Sequence, residues 1–240
     1  FPKRLPPISK RPKLSTLANA INYREIYEEL DSLVLAVYMP SSYVHPSKME
    51  KYAKMGGGGN LTLGGRETGV RRLMTTNLLK RLESSVCSFR LTLERVLAAM
   101  NAALKTIDDY RRGLASGASV ADGDLPGGFD FDPDDESGFE VGGATKILVE
   151  DMDWMSWERD IEADVAVIEV LISMVRDIDP AHDAKLIELC EQIRGKSQGP
   201  INPGNRKVLV FTAFSDTADY LYENVSAFAK RELGLECAKV

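Results

Sequence analysis

Lys207-Val-Leu-Val-Phe-Thr-Ala-Phe-Ser-Asp-Thr-Ala-Asp-Tyr-Leu221 decides the fold class of this chain. Four consecutive apolar residues, Val208 to Phe211, read as a strand buried on both faces, the pattern of a parallel sheet. Thr212-Ala213-Phe214 turns the chain, and Ser215 fits an N-cap for a helix running to about Lys230. Leu235 to Val240 then looks like the next strand. A strand-turn-helix of this kind leaves free N–H groups and a positive dipole end at the helix start, which suits a phosphate. Open parallel sheets bind ligands just outside the carboxyl ends of their strands. By itself the unit is common to every doubly wound domain.

Upstream, residues 66–112 are the most periodic part. Val70, Met74, Leu78, Leu82, Val86, Phe89, Leu93, Val96, Met100, Leu104 and Ile107 advance in steps of three or four, with no Pro or Gly between Val70 and Arg112. This is one helix, or a helix pair with little break; a single helix of that extent is about 60 Å long at 1.5 Å per residue, and its apolar seam needs a partner helix. Residues 152–178 supply one, capped by Asp151 or Asp153. Its apolar face is Trp154, Ile161, Val165, Ile168, Leu171 (or Ile172) and Val175. Trp154 and Trp157 read as core anchors of this pair. Asp179-Pro180 fits the cap and first position of a further helix with Leu186, Leu189 and Ile193 inward.

The remaining segments connect these. Pro2, Pro6, Pro7 and Pro12 make residues 1–14 an extended arm carrying Lys3, Arg4, Lys10, Arg11 and Lys13 with no acid. Ser15 fits the cap of a helix through Leu17, Ile21, Ile26, Leu30 and Leu33. Leu33 to Tyr38 reads as a short buried strand or that helix's apolar end. Pro46 starts a short helix to Met55, followed by the Gly56–Gly59 linker. Residues 113–145 are Gly- and Asp-rich, and that composition predicts a disordered loop. Its acids run from Asp122 to Glu140.

Bulk properties restrict the function classes. The 240 residues are 44% hydrophobic and 28% charged, an ordinary globular composition, and the net charge of -6 gives no global nucleic-acid signature. The three cysteines, Cys87, Cys190 and Cys237, are far apart and form no CxxC. Free thiols in a reducing cytoplasm are expected. The longest apolar run, Leu33 to Met39, falls well short of the roughly 20 residues of a membrane helix, so no membrane partner is expected. No GxxxxGK[ST] phosphate loop and no Gly-x-Ser-x-Gly elbow occur. His45 and His182 are the only histidines, too few for a His-rich metal site. A Ser/His/Asp arrangement stays open, though no such elbow supports it, and no metal site is indicated.

The order of the pieces is more specific than any one of them. Lys185-Leu-Ile-Glu-Leu-Cys-Glu-Gln-Ile193, a linker, the Lys207–Leu221 stretch and Leu235-Glu-Cys-Ala-Lys-Val240 resemble the second-lobe opening of Swi/Snf-type superfamily-two helicases. There a K-L-x-x-L helix precedes motif IV, K-V-L-V-F-[ST]-x-F. Leu73-Met-Thr-Thr-Asn-Leu-Leu-Lys-Arg-Leu-Glu-Ser-Ser-Val-Cys-Ser-Phe-Arg-Leu-Thr-Leu93 is similar to a helix of the bacterial members resembling RNA-polymerase-recycling and phage-defence helicases. Phe1-Pro-Lys-Arg-Leu-Pro-Pro7 looks like the arm after their first lobe.

The resemblance implies a helix-rich α/β chain. Its parts are an arm, helix and connector (1–65), a long helical hairpin insertion (66–182) and the start of a RecA-like parallel-sheet lobe (183–240). It implies a central piece of an ATP-dependent motor on nucleic acid, double-stranded DNA in the first instance, that works with the parent's remaining lobes. ATP and magnesium belong to the parent, and the piece alone is expected to be inactive. The implied nucleic-acid contacts are Thr212, Ala213, Phe214 and Ser215 on the motif IV turn. Phe211 is read as core, and Phe214 as either core or contact. Arg71, Arg72, Lys80, Arg81, Arg90 and Arg95 flank the long seam as a candidate phosphate-facing strip, with Lys80 and Arg81 inside the family-like segment. The alternative is a non-catalytic helical scaffold or interaction module.

Overall fold

The computed structural model describes residues 3–18, 21–53, 63–113, 119–121 and 146–240. The expected Gly56–Gly59 linker and most of the expected loop, with its acidic run, lie outside these residues. Helices dominate: α1 (Tyr23–Ser32), α2 (Met49–Ala53), α3 (Leu63–Ser84), α4 (Val86–Arg111), α5 (Trp154–Val175), α6 (Ala184–Gln198) and α7 (Ser215–Phe228). Two short strands, β1 (Ser119–Ala121) and β2 (Lys146–Leu148), pair antiparallel with Val120 opposite Ile147. Residues 119–121 thus form a strand inside the stretch expected to be wholly loop.

The long seam is a helix pair broken at Ser85. That residue is extended (φ −157°, ψ 150°), and its hydroxyl accepts the Ser88 N–H at 3.0 Å, capping α4. Every seam residue is buried except Leu104, whose place is taken by Ala103. α5 packs along α4. Its cap is Asp153, which accepts the Ser156 N–H at 3.2 Å. Trp157, Ile161, Ile168, Leu171 and Val175 form its buried face. Each large apolar side chain so buried contributes about 1.5–3 kcal/mol. Trp157 is wholly enclosed and donates from Nε1 to the Ala36 carbonyl at 2.9 Å. Trp154 is half-buried and meets Tyr110 edge-on at 6.4 Å.

The connector from 33 to 53 is irregular and held by carboxylates. Leu33–Tyr38 is neither strand nor helix end: Leu35 is left-handed (φ 57°), and a 3-10 turn follows at Ala36–Tyr38. A leucine rarely adopts that conformation. Asp164 of α5 holds it, accepting the Val34 and Ala36 N–H groups at 2.8 Å each. Burial pushes the Asp164 carboxyl up, and these backbone donors oppose the shift. Asp151, expected only as a cap, is instead a buried anchor. It accepts from Lys51 and the Tyr52 hydroxyl at 2.6 Å and lies 3.3 Å from Lys48. The first helix also starts later than expected. Asn22 caps α1 with a full capping box to Glu25, while Ser15 bridges to Asp183.

The C-terminal quarter departs most from expectation. α6 is capped by Asp183, four residues after the expected Asp179, which instead ties the preceding turn to the His182 N–H and ring. α7 runs from Ser215 to Phe228 and ends in a π-helical turn, Ala229–Leu233. Ser215 is its first residue, not its cap. Val208–Phe211 and 235–240 belong to no strand, and the only sheet among the described residues is β1–β2. Leu209 is 81% and Phe211 88% exposed, so the expected burial on both faces, and Phe211 as core, are not found. A strand's N–H and C=O groups point sideways, and without a neighbouring strand no ladder can form. Helix richness therefore stands, and a parallel sheet is not formed among the described residues. α6 and α7 meet in a small cluster of Ile193, Phe228 and Ala229, against which Cys190 and Cys237 pack. Cys87, Cys190 and Cys237 are free and partly buried.

Candidate nucleic-acid interface

A groove of about 550 Å³ lies where three distant parts of the chain meet. One wall is the end of α3 (Lys80, Glu83, Ser84). Another is the start of α6 (Asp183, Lys185, Leu186, Leu189). The third is Val210 to Phe214 with Thr217 and Tyr220 of α7. Lys80 and the 212–214 turn, separate candidates in the sequence, thus share one concavity.

Hydroxyls join the walls. Ser84 Oγ lies 3.3 Å from Thr212 Oγ1 and 2.8 Å from Thr217 Oγ1, across 128 and 133 positions of sequence. Ser85 Oγ lies 3.3 Å from Thr217 Oγ1. Thr212 also accepts the Phe214 N–H at 3.4 Å, which closes the turn before α7.

Behind the turn is a charged clamp. Arg81 is 2% exposed and donates to Asp216 at 2.9 Å and to Ser88 at 3.2 Å. Arg95 reaches the same carboxylate from α4 at 2.9 Å. Phe214 stacks on the Arg81 guanidinium, 4.6 Å from ring centre to carbon, a cation–π contact. Burial pushes the Asp216 carboxyl up, but the hydrogen bond from Arg95 and the charges of both arginines outweigh it and hold it below the ordinary carboxylate value. Asp216 thus fixes the start of α7 to the α3–α4 corner.

The opposite wall rests on Asp183. It is 2% exposed, caps α6 through the Lys185 and Leu186 N–H groups, and accepts the Tyr220 hydroxyl at 3.0 Å. Burial, then the Asp183 charge, raises the Tyr220 phenol, so it stays a donor. Burial lowers the Lys185 ammonium, whose Nζ donates to the Glu83 carbonyl.

The expected site residues therefore divide. Lys80 is exposed on the rim and pairs with no carboxylate among the described residues. Thr212, Ala213 and Phe214 line the groove, and Ser215 is exposed at the first turn of α7. Arg81 is buried behind the surface and serves the clamp. The wider strip is not continuous: Arg71 and Arg72 are exposed on α3, Arg90 lies 3.9 Å from Glu94, and Arg95 is engaged by Asp216. Asp183, Lys185, Asp216 and Tyr220 were not expected at the site. Their only sequence signal was polarity on an otherwise apolar helix start.

Among the described residues no three His, Cys, Asp or Glu side chains gather as a metal site, and no helix is long and apolar enough to cross a membrane. No family model matches the chain, and neither curated proteins nor solved structures give a match. The helicase resemblance accordingly rests on the residues that carry it.

Proposed function

We propose that this chain supplies the inter-lobe helical element and the opening of the second, RecA-like lobe of a Swi/Snf-type helicase or translocase acting on double-stranded DNA or RNA. The observation that carries the reading is the convergence of Lys80, from the family-like α3 segment, with Thr212–Phe214, from the motif IV segment, at one groove. Unpaired Val208–Phe211 supports it as well. A lobe sheet would cover that run.

In this reading the exposed rim contacts phosphates: Lys80 by charge, Thr212 and Ser215 by hydroxyl, and the turn by backbone N–H. The Arg81–Asp216–Arg95 clamp makes the turn move with α3 and α4, so motion of the helical insertion reaches the tracked strand. Among the described residues no group of three His, Cys, Asp or Glu side chains could hold magnesium, and no hydrolytic step is assigned to them. Both belong to other segments of the parent.

Two measurements test the proposal. The parent reading frame should encode a phosphate loop and Asp-Glu-x-His box before this stretch and a Gln-x-x-Gly-Arg-like segment after it. A frame that contains neither contradicts the motor. The chain itself should bind a duplex by fluorescence anisotropy, more weakly as salt rises, without ATPase activity. Lys80→Ala should lower the salt slope by about 1.

A further inference from the structure

The basic arm is not a loose tail. The arm is tied down at three places, at Lys3, at Lys10 and at Leu14–Thr16, to α6 and the residues that flank it. Ser15 bridges to Asp183, and its hydroxyl donates to the His182 carbonyl at 3.0 Å. The Thr16 N–H donates to the same carbonyl at 3.0 Å. Leu14 is 3% exposed and belongs to the main core. Lys10 pairs with Glu188 at 3.2 Å. Beyond the helix, the Lys3 N–H donates to Asn202 at 2.8 Å, and Asn202 donates back to the Lys3 carbonyl at 3.3 Å.

Those ties leave a line of charge without a counterpart. Lys3, Arg4, Arg11 and Lys13 are all exposed and pair with no carboxylate among the described residues. The chain as a whole is net negative at -6, so the strip is a local inversion of sign. Pro6, Pro7 and Pro12 restrict the backbone to extended conformations, which reduces the entropy lost on binding. At roughly 3.1 Å per residue, Arg4 to Lys13 spans about 28 Å. One strand of a duplex presents a phosphate about every 3.4 Å of rise over that distance. The arm meets the groove wall at Asp183, through Ser15.

We infer that the arm is a second phosphate-contacting strip, holding a duplex by its backbone through Arg4, Arg11 and Lys13 while α6 serves as its splint. The inference rests on the nucleic-acid reading of the groove. The recognition is by charge and spacing alone, so it is independent of base sequence.

The test uses the whole chain and a 20–30 base-pair duplex, with anisotropy read across a salt series. The variants are the triple R4S/R11S/K13S and, separately, Lys80→Ala; circular dichroism checks that each is folded. The triple variant is expected to lose about 2–3 units of salt slope, and about ten- to a hundredfold in affinity at low salt. A triple variant that binds like the parent while Lys80→Ala is weakened overturns the strip and leaves the groove reading intact. This is also the result expected if the arm's partner is instead an acidic segment of protein. A weakened triple variant with Lys80→Ala unaffected supports the strip and overturns Lys80 as a contact. No binding by the unaltered chain at low salt overturns both.

Discussion

The helical body and the C-terminal quarter contain similar apolar runs with opposite fates. Phe89, Leu93 and Val96 on α4 are wholly enclosed, while Leu209 and Phe211 stand 81% and 88% exposed. Hydrophobicity does not separate them; backbone hydrogen bonding does. A helix satisfies its own N–H and C=O groups and needs only one covered face. An extended segment needs another strand beside it before burial becomes favourable. α3, α4 and α5 are therefore self-sufficient, and Val208–Phe211 is left exposed. Between the two sits the groove, and the Arg81–Asp216–Arg95 clamp behind it ties α7 to the α3–α4 corner.

Substitutions can break that contrast at graded cost. Trp157→Ala should have the largest effect, about 3–5 kcal/mol in urea unfolding, from the cavity and the lost bond to Ala36. Asp216→Ala should cost about 3 kcal/mol, because it leaves the buried Arg81 guanidinium without its carboxylate. Hydrogen exchange should then speed up in α7 but not in α5.

A pH series isolates the anchor under the connector. Lys51 above all, then Tyr52 and Lys48, hold the Asp151 carboxyl down to about 2 from an unfolded value of 3.8. Its folded value is the lower one, so its contribution is full above about pH 4 and is lost as pH falls from there toward 2. That contribution is about 2 kcal/mol, and Asp151→Asn should flatten acid unfolding over this interval. The smallest effect belongs to Phe211→Ala, within about 0.5 kcal/mol of the parent, because the ring buries nothing. A loss of 2 kcal/mol or more there would show that 208–211 is covered in solution.

The parts legible from sequence were those with a local period. The α3–α4 seam could be read because each residue's burial follows from its spacing, and only Leu104 failed. The break at Ser85 carried no Gly or Pro to announce it. Capping was misplaced where several suitable residues lay close together: Asp179 and Asp183 both accept N–H groups two and three positions on. Lys80 and Thr212–Ser215 were named as contacts, but the meeting of Lys80 with Thr212–Phe214 depends on packing that no short window contains. The burial of Arg81 was not legible for the same reason, since its partner lies 135 positions away. Phe211 and Phe214 differ because only Phe214 faces a guanidinium that can cover it.

Binding to a short DNA duplex tests the central reading most directly. The chain should bind at low salt, weaken steadily as salt rises, and lose affinity in Lys80→Ala with its helical content unchanged. Absence of binding at low salt, or binding that neither salt nor Lys80→Ala alters, would contradict it.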